Sequence, residues 1–281
     1  MNDPEIVLRP LRTNEEYRAC VELQKQTWGE HFTHCVPSSI LMVNQKIGGV
    51  TSGAFDQDGN LLGFVFGMTG MKDGRLVHWS DMLAVRKEIR GCGLGRRLKL
   101  FQRELLLEVG VEVVYWTYDP LVARNAHLNI NRLGVEIDAY VPDMYGDDAG
   151  NELQRGIGTD RFVVAWHIAD KRVDRVISGQ VRNETPRFAQ APVVNTRLGE
   201  DGFPTPFGGD LPAHPMVRVE IPSDILAVQN ESLGLAAQWR ANTRRVFIHY
   251  FDRDYRVKIF YREPESNRCF YGLLREREND A

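Results

Sequence analysis

Three glycines in the hexapeptide Arg90-Gly91-Cys92-Gly93-Leu94-Gly95 separate a strand-like run, HWSDMLAV over 78–85, from the run GLGRRLKLFQRELLLEVG, and this junction constrains the fold more than any other stretch. Neither flanking element can continue through so many residues lacking a Cβ, so a tight loop is expected there. Leu98, Phe101, Leu105 and Val109 recur at helical spacing, which predicts an amphipathic helix laid back on the sheet that the strand enters. The first amides of such a helix have no intrahelical partner and sit at the positive end of its dipole. A loop that brings backbone close to that point, with Arg90, Arg96 and Arg97 beside it, is suited to an anion, with a pyrophosphate the expected ligand. A ligand-free turn satisfies the same glycines, so the surrounding sequence has to decide.

The surrounding order is that of a mixed sheet. Residues 5–11 alternate as a short strand, and Thr13-x-x-Glu16 offers a capping box for a helix to about Trp28. SSILMVNQKIG reads as a second helix stopped by Gly48-Gly49, and VTSGAF and LLGFVFGMTG flank the turn-rich DQDGN as two antiparallel strands. After the glycine loop and its helix, EVVYWTYDP is a buried strand, ARNAHLNINRLG a helix ended by Gly134, and IDAYVPDMYG and RFVVAWHI are further strands. The fold class expected is α/β in the mixed α+β sense: a largely antiparallel central sheet flanked by helices, with a C-terminal α/β extension.

Three stretches follow from this reading. Residues 1–172 form the sheet-and-helix domain; 173–215 form a connection, Pro- and Gly-rich from about Arg182 to Pro215 and expected to hold no regular element; 216–281 form an extension packed on the core or on a partner subunit. The extension reads as a strand at VRVEIP, a helix start at Ser223 or Asp224, a helix from about Glu231 to Tyr250 and strands at VKIFYRE and CFYGLL.

Composition narrows the function classes. A formal charge of −3 over 281 residues implies no nucleic-acid partner, and no run of 18 apolar residues implies a membrane span. Cys20, Cys35, Cys92 and Cys269 lack paired spacing, so reduced thiols, no metal site and a cytoplasmic location are expected. Arg96 stands where a dinucleotide-binding loop needs its third glycine, and no G-K-[ST] is present, so the two common nucleotide motifs fail.

The loop Arg90-Gly91-Cys92-Gly93-Leu94-Gly95 matches R/Q-x-x-G-x-G/A. With the LAV strand before it, the helix after it, and Asn125, Ala126 and Leu133-Gly134 downstream, residues 4 to 170 resemble the GNAT superfamily of acyl-coenzyme A-dependent N-acyltransferases, in an extended type with a C-terminal addition. The resemblance implies that the backbone of Leu83, Ala84 and Val85, on a strand that parts from its neighbour, binds the pantetheine arm and polarises the thioester. It implies that the amides from Gly91 through Cys92, Gly93, Leu94 and Gly95 to Arg96 hold the pyrophosphate, aided by Arg90 and Arg97, and that Asn125 faces the pantetheine. Acyl-coenzyme A, acetyl or succinyl, is the implied cosubstrate, with no metal. The partner is a small-molecule amine such as an amino acid, with a homodimer left open.

Direct transfer needs a base for the amine and an acid for the leaving thiolate. The tyrosine that many family members use is replaced by the Asn129-Ile130-Asn131 region. Tyr145 is therefore the expected acid, with Tyr118 as its competitor, and Asp81 and Glu30 are the candidate bases. His31 and His34 lie in the loop expected to border the acceptor, His127 reads as a helix-surface residue, and Cys92 has no partner that would make it a nucleophile. The competing readings are a non-catalytic acyl-coenzyme A binding or sensing module and, more remotely, a nucleotide-dependent enzyme.

Overall fold

The computed structural model describes residues 6–146, 156–180, 183–200 and 202–276. The chain opens with β1 (Val7–Pro10), α1 (Asn14–Trp28), α2 (Ser38–Lys46), β2 (Val50–Phe55), β3 (Leu61–Lys72) and β4 (Arg75–Val85). A 3₁₀ turn at Lys87–Ile89 leads to α3 (Leu94–Glu108) and β5 (Val113–Tyr118). Next come α4 (Ala123–Ala126), widening into a π-helix over His127–Leu133, then β6 (Glu136–Val141) and β7 (Arg161–His167). The order expected from sequence is observed throughout this part, including the capping box: Thr13 accepts from the Glu16 amide while Glu16 reaches back to the Thr13 amide.

The central sheet has seven strands in the order β1-β2-β3-β4-β5-β7-β6, antiparallel from β1 to β4 and parallel between β4 and β5. Two compact units share the chain. The first takes in residues 6–116 and 165–173, the second 117–146, 156–164 and the described residues from 174 on.

In the first unit, α1 and α2 cover one face of the sheet around Leu11, Tyr17, Cys20, Leu23, Leu41, Phe64, Phe66, Met82 and Ala84. The helix α3 buries Leu98 as its apolar spacing predicts but otherwise turns in a neighbouring stripe. Leu94, Leu98, Lys99, Gln102 and Leu106 are buried, whereas Phe101 and Leu105 are half-buried and Val109 is exposed. Two polar residues occupy the inward face because the strand they meet is itself polar there.

That strand carries a bulge. Phe66 pairs with Met82 and Met68 with Trp79, so Ser80 and Asp81 together oppose Gly67. A Cβ on Gly67 would lie 2.6 Å from the Trp79 carbonyl and 2.9 Å from the Ser80 Cα, so only glycine fits opposite the bulge. The bulge also resets which side chains face where: His78 and Ser80 meet α3, while Met82 and Ala84 join the core beneath α1.

The second unit continues with α5 (Lys171–Ile177), which starts within the first, then α6 (Thr185–Ala189), β8 (Thr196–Leu198), β9 (Pro204–Pro206), β10 (Met216–Ile221), α7 (Ile225–Glu231), α8 (Leu233–Phe251), β11 (Tyr255–Arg262) and β12 (Cys269–Arg275). The stretch from Arg182 to Pro215 thus holds a short helix and a two-stranded ladder, correcting the expectation of none. Pro186 falls at the start of α6, where a missing N–H costs nothing, and Pro204 and Pro206 end a ladder too short to need their amides.

Residues 216–276 share a core with residues 117–146 and 156–164. Phe162 meets Phe247 and Tyr271 edge to face at 4.8 and 5.5 Å between ring centroids, and the Tyr271 hydroxyl donates to the Pro120 carbonyl at 2.8 Å. Arg240 donates to buried Asp119 at 2.6 Å, and Arg244 to Asp160 at 2.9 Å and Asp143 at 2.7 Å.

Candidate functional site

The glycine loop is built as an open cradle. Gly91 and Gly93 have φ of 92° and 80°, in the left-handed region that favours glycine, and a Cβ on either would meet nothing within 4 Å. Gly93 is the N-cap of α3 and offers no side chain to the first amides of the helix. Arg90 folds back, its Nε donating to the Val85 carbonyl at 3.0 Å, and Arg97 donates to the Ile6 carbonyl at 3.0 Å. Arg96 is half-buried at the first turn. Cys92 is exposed and its thiol donates to the Ile89 carbonyl, closing the turn. Leu94 is buried and anchors the helix start, and Gly95 faces the sheet, where a Cβ would lie 3.7 Å from Leu83 and 3.9 Å from Val85.

Leu83, Ala84 and Val85 pair with Val65, Phe64 and Gly63 on the β3 side. Toward β5 the ladder covers Val77–Trp79 opposite Val113–Tyr115 and stops at the bulge, although β4 runs on to Val85. The strand end nearest the loop therefore has backbone groups with no ladder partner from β5. Their arrangement suits an extended ligand lying along β4.

Under α3 lies a polar cluster that the sequence reading missed. Lys99 Nζ donates to Ser80 Oγ at 2.7 Å and to Gln102 Oε1 at 3.3 Å, and sits 3.8 Å from the centre of the Trp116 ring. Ser80 donates to Gln102 Oε1 at 2.9 Å, and the Gln102 amide then donates to His78 Nε2 at 2.9 Å. That bond leaves the His78 proton on Nδ1, donated to Thr69 Oγ1 at 3.0 Å, which in turn donates to the Gly48 carbonyl. Burial lowers the Lys99 pKa well below the usual lysine range and lowers that of His78 to about 3, the latter aided by Lys99. The signal available in sequence was a Lys and a Gln three apart on a helix following a strand that carries His78 and Ser80 among apolar residues.

The candidate acid and base residues fall in different places. Asp81, at the bulge, has its pKa raised by desolvation, opposed by a hydrogen bond with Trp79 and by His34. Glu30 is exposed and paired with Lys25 at 3.2 Å. His31 and His34 are exposed in the loop after α1, where Trp28 stacks on Phe32 at 5.3 Å. Asn125, half-buried on α4, belongs to the second unit, as does Tyr145. The Tyr145 hydroxyl bonds with Thr117 Oγ1 at 3.0 Å, and the Arg161 guanidinium lies 5.2 Å from its ring centre. Tyr118 is buried beside Tyr271, and burial raises its pKa. His127 is exposed and contacts Asn131 at 3.2 Å. No group of three metal-ligating side chains occurs among the described residues, and no helix there is long and apolar enough to cross a membrane.

No family model matches the chain, and neither does any curated protein. Among solved structures it is similar to the ribosomal-protein-S18-alanine N-acetyltransferase of Escherichia coli, at 19% identity and TM-score 0.45, over 59% of this chain and 96% of that one. It is similar to Arabidopsis thaliana Naa50 in complex with the bisubstrate analogue CoA-Ac-MVNAL, at 17% identity and TM-score 0.45, over 57% and 97%. It is also similar to aminoglycoside 6'-acetyltransferase type Ii, at 17% identity and TM-score 0.44, over 59% and 99%.

Proposed function

We propose that this protein transfers an acyl group from acyl-coenzyme A to the primary amine of a small molecule by direct attack in a ternary complex, as a member of the GNAT superfamily. The observation that carries the reading is the start of α3, where two left-handed glycines precede amides that have no side-chain cap, with Arg90, Arg96 and Arg97 close by in sequence. The pyrophosphate of coenzyme A fits this charge and donor set. The backbone of Leu83 to Val85, without a β5 ladder, would take the pantetheine arm, and Asn125 would contact the same arm.

The reaction itself is assigned by chemistry. The attacking amine must be neutral, and Asp81, an exposed residue at the β4 bulge whose carboxyl pKa is raised, is the preferred base. Glu30, engaged by Lys25 at the surface, is the weaker candidate. Tyr145 is assigned as the acid that protonates the leaving thiolate.

Release of free thiol from acetyl- and succinyl-coenzyme A, measured with and without a panel of amines, tests this function. Amine-dependent release is expected. Coenzyme A binding without release under any amine would favour the binding-module reading, and failure to bind coenzyme A would overturn the assignment of the loop.

A further inference from the structure

Arg161, the first residue of β7, leaves one edge of its guanidinium unused. Its Nη1 donates weakly to the Asp160 carbonyl at 3.5 Å and lies 3.8 Å from Asp119 Oδ2, too far for a hydrogen bond. Asp119 is already engaged, its Oδ2 accepting from Arg240 at 2.6 Å and its Oδ1 from the Leu121 amide at 2.9 Å. Among the described residues, Nε and Nη2 of Arg161 have no acceptor. Two other arginines of this unit show what that edge does: Arg268 holds Glu220 through Nε and Nη2 at 2.7 and 2.6 Å, and Arg244 holds Asp160 through the same pair. The edge is also reachable. Burial seals Arg240 Nη1 away from solvent, but neither Nε nor Nη2 of Arg161, whose side chain stays 11% exposed. Desolvation lowers the Arg161 pKa, yet a guanidinium keeps its proton at neutral pH, so a half-desolvated positive charge persists there with two parallel donors to offer.

Position indicates whose anion this edge meets. The guanidinium lies 5.2 Å from the centre of the Tyr145 ring, and the Tyr145 hydroxyl bonds with Thr117 Oγ1 at 3.0 Å, all within the second unit. On the reading proposed above Tyr145 protonates the leaving thiolate, so the attacking amine passes beside that ring. A charge on the acceptor close to its amine therefore comes within reach of Arg161. The parallel N–H groups of the Nε–Nη2 edge match the two oxygens of a carboxylate, as Glu220 and Asp160 demonstrate on Arg268 and Arg244. We infer that this edge of Arg161 binds a carboxylate that the acceptor carries next to its amine, which selects free α-amino acids and rejects polyamines, amino sugars and peptide N-termini. This inference rests on the acyltransferase reading and makes Arg161 its specificity-determining residue.

Thiol release from acetyl- and succinyl-coenzyme A by the full chain tests it, with three matched sets of acceptors: the standard amino acids, their carboxamides and their decarboxylated amines. For the amino acid turned over best, kcat/KM should exceed that of its carboxamide by about 10- to 100-fold, the range of charge-assisted hydrogen bonds. Arg161→Met should bring that ratio close to one, mainly by raising KM for the amino acid. Arg161→Lys keeps the charge but loses the paired donors, and its ratio should fall between the two. A role confined to packing would lower the rates with amino acid and carboxamide alike and leave the ratio intact, which overturns the inference. A wild type that acylates carboxamides or decarboxylated amines as readily as amino acids also overturns it and leaves the acyltransferase standing. No release with any amine overturns the acyltransferase reading itself, and the inference falls with it. Asp119 retains Arg240 in both variants, and should Arg161→Met still fail to fold, the ratio in Arg161→Lys decides.

Discussion

Replacing Gly93 by Asp tests the anion cradle with little interference from packing. A Cβ at Gly93 would meet nothing within 4 Å, so the steric cost is confined to placing an L-residue at φ of 80°, about 1 kcal/mol for Asp. The new carboxylate sits at an N-cap that now has no side-chain cap, which returns about 0.5 to 1 kcal/mol. Folding stability should therefore change by less than about 1 kcal/mol. Binding should not be spared. A unit charge about 5 Å from a pyrophosphate charge costs about 3 kcal/mol at an effective dielectric of 20, which exposure and salt reduce to about half. The carboxylate also caps the amides that the ligand needs, worth about 1 kcal/mol more. Coenzyme A affinity should fall on the order of 100-fold. Gly93→Asn adopts the same backbone and caps the same amides without the charge, and should lose about fivefold. Calorimetry at low and high salt, with thermal unfolding alongside, separates these contributions: the gap between Asp and Asn should narrow as salt rises. Undiminished affinity in Gly93→Asp, in a protein that melts like the wild type, would refute the placement of the ligand.

Three further outcomes are expected. Tyr145→Phe should lower kcat at least tenfold with coenzyme A affinity nearly unchanged, as expected for a positioned acid; a defect in Tyr118→Phe alone would move the acid to β5. Below pH 6.5 the unfolded chain holds a proton on His78 that the folded chain, with its pKa near 3, does not, so stability falls as pH falls, by up to about 1.4 kcal/mol per unit. Between pH 7 and 5 the wild type should lose about 2 kcal/mol more than His78→Asn in urea titrations, and parallel losses would show that His78 is not kept neutral. Arg240→Met leaves the buried Asp119 without its 2.6 Å partner and should cost about 3 to 5 kcal/mol by chemical denaturation, a loss below about 1 kcal/mol contradicting the pairing.

Much of the order from β1 to β7 was legible because each segment announced its own ends. Thr13 and Glu16 cap α1 as their spacing requires, and Gly134 ends the helix after β5 with φ of 71°, where a Cβ would come within 2.9 Å of Val176. The glycine loop was legible for the same local reason. The features missed are those that depend on a neighbour distant in sequence. Nothing within β4 reveals that Ser80 and Asp81 share one partner, since the second strand of the bulge supplies Gly67. The inward turn of Lys99 and Gln102 depends on His78 and Ser80 opposite them, so the stripe expected from apolar spacing is right at Leu98 and one residue off at Phe101 and Leu105, where Gln102 and Leu106 are buried instead. The ladder of β8 and β9 was missed for a local reason: it is only three residues long and contains two prolines, which argue against a strand, although the Gly199 amide donating to the Phe203 carbonyl closes it as a hairpin.

The ties that close the second unit also set when it can form during synthesis. Asp119 waits for Arg240, Asp160 for Arg244, and the Pro120 carbonyl for Tyr271, separations of 121, 84 and 151 residues respectively. Each early group remains hydrated while the ribosome adds the intervening chain, because its partner does not yet exist. Strands β1 to β4 find most of their contacts within a few dozen residues and can assemble on emergence. A nascent chain halted short of α8 would therefore carry a sheet with one finished flank, and its other flank would offer Phe162 and two carboxylates to whatever chaperone or neighbouring chain arrived first.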